Sequence, residues 1–364
     1  MNIAVIIAST ITIILIALGF IFNKSKLILG IQFIWMWILI GLNNGGTDYD
    51  VYQGIFRTAY NFKIFGYTDS LFYSIYYLFK NSDKTLIFAN SVMTIISLIL
   101  IFSRTLKFTN KKGIVTSLML VFPLIDNIIQ KKNFYASSIV ILSFSLLLNE
   151  KVKHRKILSL IMIIIASRIH SSALIYLIFW FLYMIPIEKI KKILPVLLTG
   201  AFISIPIIPK IASIFFHSAK IQLYFYTLKI SAFDSICWMI LHLVFTIIII
   251  IFCKQPKSGL TDEQKKYEQN VYKLNLILLI MLPLYYYEPT FFRIYRNLMI
   301  FNYIVIANRQ SKLTNKTSLF LTISWIAYII ATFLLTDVII ADAYRIKIVS
   351  SFTNNEFLNW LIGG

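Results

Sequence analysis

Residues 130–176 read QKKNFYASSIVILSFSLLLNEKVKHRKILSLIMIIIASRIHSSALIY. Two apolar runs are framed by three basic clusters: Lys131-Lys132, the loop Glu150–Lys156, and Arg168 with His170. Each run is about long enough to cross roughly 30 Å of hydrocarbon as a helix, so successive clusters fall on opposite faces of a bilayer. The middle loop is the most basic, and Lys and Arg favour the cytoplasmic side. Lys131, Lys132, Arg168 and His170 then meet on the outer face, against that bias. Positive charge kept there points to an anionic substrate.

Working outward, apolar runs of this kind recur along all 364 residues, 59% of which are hydrophobic. They lack the polar stripe that a surface helix of a soluble protein carries. The fold class expected is an all-α polytopic membrane protein, one integral domain over residues 1–364, with about twelve transmembrane helices. The spans fall near 3–22, 27–42, 86–103, 114–129, 134–149, 157–168, 171–186, 193–209, 234–253, 274–287, 298–308 and 317–336. Several are short, which predicts tilted or broken helices. With the Asn23–Lys26 loop inside and the sides alternating, the inner loops hold 21 Lys and Arg against 5 acidic residues, leaving 14 against 10 outside. That asymmetry obeys the positive-inside rule and puts both termini outside. Basic residues in the inner loops, including those of Lys254–Lys273 and Arg309–Lys316, are read as topology signals.

Other classes are disfavoured. The net charge of +20 suggests nucleic acid at first sight, but the basic residues sit in short loops between spans, where orientation and anionic headgroups explain them. The first run is long and lacks a basic start, so it reads as a retained span. Cys237 and Cys253 share one apolar run and support neither a disulfide framework nor a metal site. There is no glycine-rich phosphate loop, no His-Glu-x-x-His and no zinc spacing, so neither cofactor nor metal is expected. No internal repeat is visible.

Three outer segments are long, at about 43–85, 210–233 and 337–364. The first opens Asn-Asn-Gly-Gly-Thr-Asp-Tyr-Asp; Gly45-Gly46 ends the preceding helix and Thr47 or Asp48 can cap the next. Tyr49, Tyr52, Phe56 and Tyr60 share one helical face, and a second amphipathic piece starts near Asp69; both suit interfacial helices. The second segment carries His217, Lys220, Tyr224, Tyr226 and Lys229. The third, from Asp337, is polar enough to fold over the outer surface. Pro195, Pro206 and Pro209 predict a kink in the eighth span.

Each candidate residue has a bland alternative. Lys131 and Lys132, in an outer turn of about four residues, could snorkel into the headgroups. Arg168 and His170 interrupt one apolar stretch, where ionisable groups usually face protein or a watery cavity. Arginine's planar fork suits phosphate, and histidine can exchange a proton near neutral pH. His170 could also merely fill the break, while Ser171-Ser172 could cap the next helix and add its N–H groups to anion attraction. Arg293 and Arg296 are three residues apart and outward, like a diphosphate clamp; one could instead pair with Glu288. Asp48 could act as a general base on a sugar hydroxyl or as a helix cap. Tyr49 and Tyr52 could stack on sugars or belong to an aromatic belt.

These pieces, in order, resemble the EpsG branch of the Wzy-type polysaccharide polymerases: Gly45-Gly46-Thr47-Asp48-Tyr49 with Tyr52, the turn Lys131-Lys132, the block Arg168-Ile169-His170-Ser171-Ser172-Ala173-Leu174, and Phe292-Arg293 to Asn297. The family usually has an arginine where this chain has two lysines, which supply charge without the fork. The resemblance implies a membrane glycosyltransferase of the bacterial cytoplasmic membrane, with its active site facing outward. It would polymerise undecaprenyl-diphosphate-linked oligosaccharide repeats into capsule or exopolysaccharide, within reach of membrane lipid and of the pathway's flippase and chain-length regulator. Arg168, Arg293, Arg296 and Lys131 or Lys132 would bind the diphosphate, and His170 or Asp48 would serve the acceptor hydroxyl. A flippase for lipid-linked oligosaccharide, or a surface-glycan ligase or acyltransferase, would share the outward cations.

Overall fold

The computed structural model describes residues 2–59, 69–214, 221–228, 230–255, 259–309 and 316–363. Among these no strand forms, and one isolated bridge pairs Asn43 with Asn355. The chain divides into two compact units, Met1–Leu174 with Ile326–Gly364, and Ile175–Trp325.

The first unit contains α1 (Ile3–Ile21), α2 (Lys26–Gly41), α3 (Tyr49–Thr58), α4 (Ser70–Asn81), α5 (Leu86–Thr105), α6 (Lys112–Val121), α7 (Leu124–Ile129), α8 (Lys131–Leu148) and α9 (Arg155–Ile169). Polar side chains buried between apolar helices knit them together, because an unpaired amide or hydroxyl there is costly. Gln32 of α2 donates to the Leu15 carbonyl of α1 and to Ser117 Oγ of α6, each at 2.9 Å. At the same crossing a Cβ on Gly19 would lie 2.7 Å from the Gly113 carbonyl, so the close approach of α1 and α6 requires glycine. Ser143 Oγ of α8 donates to the Ser159 carbonyl of α9 at 2.7 Å.

The second unit holds α10 (Tyr176–Met184), α11 (Ile187–Ile203), α12 (Ile208–Ala212), α13 (Ala232–Lys254), α14 (Asp262–Leu278), α15 (Phe292–Arg296), α16 (Met299–Arg309) and the first part of α17 (Lys316–Phe333). Asn275 of α14 and Asn302 of α16 exchange hydrogen bonds at 2.8 and 3.2 Å, and Tyr295 joins both. The C-terminal helices α18 (Ser350–Thr353) and α19 (Glu356–Leu361) belong to the first unit.

Among the described residues, four helical stretches are long and apolar enough to cross a membrane, namely Ile3–Ile21, Leu86–Phe108, Ala232–Lys254 and Leu319–Ile339. A fifth follows if α11 and the helical residues to Ala212, bent by 56°, count as one span. Ile13, Ile99, Ile236 and Phe320 are exposed on these helices, as side chains facing lipid would be. The other stretches read as spans are not long and apolar enough to cross by themselves, most being shorter or interrupted helices.

The differences from the sequence reading have physical causes. The single span expected at 114–129 is two helices, α6 and α7, parted at Pro123, which has no N–H to continue the ladder. The kink expected in the eighth span falls at Ser204–Pro206, whereas Pro195 lies inside α11. The span expected at 274–287 begins earlier: α14 starts at Asp262, fixed by a capping box between Thr261 and Gln264, then gives way to a 3-10 stretch, Leu279–Tyr286. Much of the supposed basic loop 254–273 is therefore helix. Arg309 is also more than a topology signal, because it is buried and grips Glu268 with two bonds of 2.7 and 2.6 Å.

Candidate active site

Residues 42–46, after α2, form the floor of the first unit's polar cluster. Asn44 N donates to the Asn354 carbonyl at 2.7 Å, and Glu356 N donates to the Leu42 carbonyl at 3.0 Å. The C-terminal segment thus clasps this turn. Gly46 has φ +98, and a Cβ on Gly45 would lie 2.4 Å from Asn354 Cβ, so neither position accepts a side chain without distortion. Lys131, expected in a short outer turn, instead opens α8; it is buried, donates to the Asn43 carbonyl and lies 5.8 Å from the Tyr49 ring centre.

From there a line of polar contacts runs across the unit. Asp48 occupies the N-cap position of α3 but makes no cap hydrogen bond; its carboxylate accepts from Tyr52 OH at 3.4 Å. Tyr52 OH in turn accepts from the Lys132 amide at 3.3 Å. The Lys132 ammonium reaches Asp69 Oδ2 at 2.8 Å and lies 5.1 and 5.3 Å from the ring centres of Phe72 and Tyr73. Asp69 Oδ1 accepts from the Ser171 amide at 2.6 Å and stands 3.9 Å from His170 Nδ1.

Asp69 is the residue that sequence reasoning missed. It is buried, has a left-handed backbone (φ 72) and ties the start of α4 to α8 and to the break after α9. The available signal was a carboxylate at the head of an amphipathic helix in an outer segment, which reads first as a helix start. Of the predicted residues in this unit, the cluster gathers Asp48, Tyr52, Lys132 and His170. Arg168 sits in the last turn of α9 with an exposed side chain. Tyr60, His217, Lys220 and Lys229 lie outside the described residues.

The second unit holds Arg293 and Arg296 on α15, a short helix of its own rather than the start of the following span. Arg296 is buried, while half-buried Arg293 lies 5.6 Å from the Tyr224 ring centre with its Nε lacking a hydrogen-bond partner. The alternative pairing partner, Glu288, accepts from the Thr290 amide at 2.6 Å. Burial pushes the Glu288 carboxyl up to about 7, against the pull of that amide and of the Arg293 charge. Tyr176, at the start of α10, accepts from Asn297 Nδ2 at 3.1 Å and donates to the Ile294 carbonyl at 3.0 Å, fixing the backbone between the two arginines. Tyr176 was not singled out beforehand, and Asn297 entered only as the end of the block that opens Phe292-Arg293.

Apolar helices that expose aliphatic side chains, carrying buried cations, carboxylates and a histidine at their breaks, define a multi-pass membrane protein with a polar site. The chain belongs to the EpsG family, whose model matches residues 26–350 and so includes every candidate residue from Asp48 to Arg296. That membership makes it a membrane protein of polysaccharide biosynthesis and implies a lipid-linked saccharide substrate. No curated protein and no solved structure matches the chain.

Proposed function

We propose that the protein is a glycosyltransferase that polymerises undecaprenyl-diphosphate-linked oligosaccharide repeats. It does so at the outer face of the bacterial cytoplasmic membrane, on a chain that crosses about twelve times when short and broken helices are counted. The observation that carries this reading is Asp69, which gathers Lys132, the Ser171 amide and His170 around one carboxylate. A base oriented by a carboxylate beside a cation is what transfer to a hydroxyl from a diphosphate needs.

In the reaction, a hydroxyl of the incoming lipid-linked unit attacks the anomeric carbon of the growing chain. Its proton passes to His170, whose Nδ1 is turned towards Asp69, so Nε2 takes the proton and Asp69 stabilises the imidazolium. The anomeric carbon–oxygen bond breaks, and its electron pair leaves with the lipid diphosphate. In the first unit Arg168 binds that diphosphate, with Lys132 in support; in the second unit Arg293 and Arg296 form a cationic pair suited to phosphate. Lys131, given to Asn43, holds the floor in place. Asp48 acts through Tyr52, and Tyr49 and Tyr52 form the saccharide-facing wall. The chain-length regulator and flippase of the same pathway are the expected partners.

The test compares polymer length with flipping, assayed separately, in cells carrying Arg168→Ala. The proposal expects shortened or absent polymer with flipping intact. Normal polymer with repeat units trapped in the inner leaflet would instead favour a flippase.

A further inference from the structure

The second unit contains a basic cavity that the proposed reaction does not use. We propose that it binds the phosphate headgroup of an anionic phospholipid. The cavity, of about 420 Å³, lies where the C-terminal end of α13, the first turns of α11 and the polar side of α14 meet, and Lys191, Lys254 and Lys273 line it with Gln269 and Asn270. Its volume falls within the usual range for small-ligand sites.

Three lysines and a single carboxylate, Glu188, line it. That carboxylate pairs with Lys191 at 3.0 Å, but both side chains are largely exposed, so water screens the pair. Lys273 donates to the Tyr183 carbonyl at 2.5 Å and lies 4.4 Å from that tyrosine's ring centre, which anchors it at the wall. Lys254 is exposed at the last residue of α13. Gln269 and Asn270 add amide groups suited to phosphate oxygens.

The position selects a lipid over a soluble anion. α13 has 23 residues, about 34 Å of helix, so when it spans hydrocarbon its Lys254 end stands at headgroup level. Ile247 and Ile251 are exposed on the same helix within two turns of Lys254, where acyl chains from a bound headgroup would run. Lysines at such a level attract anionic lipid, and each contributes roughly a five-fold gain in binding.

The experiment measures binding of fluorescent phosphatidylglycerol, and of its phosphatidylcholine counterpart, to the full-length protein in detergent micelles. The wild type is expected to prefer phosphatidylglycerol. Lys191→Gln with Lys254→Gln should weaken it by roughly 25-fold, whereas Lys191→Arg with Lys254→Arg, and the exposed first-unit variant Lys107→Gln, should keep it. Equal affinity for the two lipids, or wild-type binding by the double Gln variant, overturns the proposal. Displacement of the probe by millimolar inorganic phosphate overturns it too, because the site would then serve a soluble anion.

Discussion

Glu288, beside Arg293, has its titration moved near neutral pH by burial. Its folded-state value of about 7 lies above the ordinary 4.5, so folding favours the protonated carboxyl. The stability it contributes is fully present below about pH 4.5 and is lost as pH rises towards 7, after which it is flat. The same titration acts on Arg293, because an ionised Glu288 offsets the charge meant for phosphate. Substrate affinity should therefore fall between about pH 6 and 8, and Glu288→Gln should abolish the fall. KM for the lipid-linked unit measured across that range checks this; an unchanged slope in the variant contradicts it. At this scale the sequence brought forward Lys132, His170, Arg293 and Arg296 because their charge opposed the expected orientation, and the structure sets the first two beside Asp69. Asp69 was not legible, because its partners Lys132 and Ser171 are 63 and 102 positions away in the chain. Only folding shows that one carboxylate serves both.

Element boundaries were readable in proportion to how local their causes are. The long apolar helices α1, α5 and α13 follow from hydropathy alone, and the bend between α11 and Ala212 follows from its prolines. The early start of α14 was also written in the sequence, as Thr261 followed three residues later by Gln264, but the surrounding charge masked it. The role of Arg309 was hidden for a different reason: a basic residue at a helix end has the same sequence signature whether it faces water or a buried Glu268. Removing one partner of that buried pair leaves an uncompensated charge, so Arg309→Met should destabilise the protein by about 3–5 kcal/mol. Joint replacement of Arg309 and Glu268 by apolar residues should cost far less. Thermal unfolding of the purified variants distinguishes the two outcomes, and equal losses would deny the pair its role. Gly45→Ala should also lower the melting temperature, since the new Cβ would meet Asn354 of the C-terminal clasp at 2.4 Å. A silent Gly45→Ala would mean that the clasp yields freely.

For the whole molecule, composition foretold a helical membrane protein, while the division into two compact units left no trace in the sequence, which lacks a linker or a repeat. The orientation proposed here separates Ser82 from Lys153, both exposed, onto opposite faces of the membrane. With Cys237 and Cys253 replaced by serine, Ser82→Cys should react with a membrane-impermeant maleimide in intact cells, and Lys153→Cys only after lysis. The reverse pattern would turn the cluster around Asp69 to the wrong side for an outward reaction. The most direct test is the rate at which the purified full-length protein, in proteoliposomes, elongates synthetic undecaprenyl-diphosphate repeat units. His170→Gln should lower kcat by roughly 10²–10⁴-fold with little change in KM, and Asp69→Asn should follow it in the same direction. Elongation by His170→Gln at the wild-type rate would contradict the assignment of the base and of the cluster built to hold it.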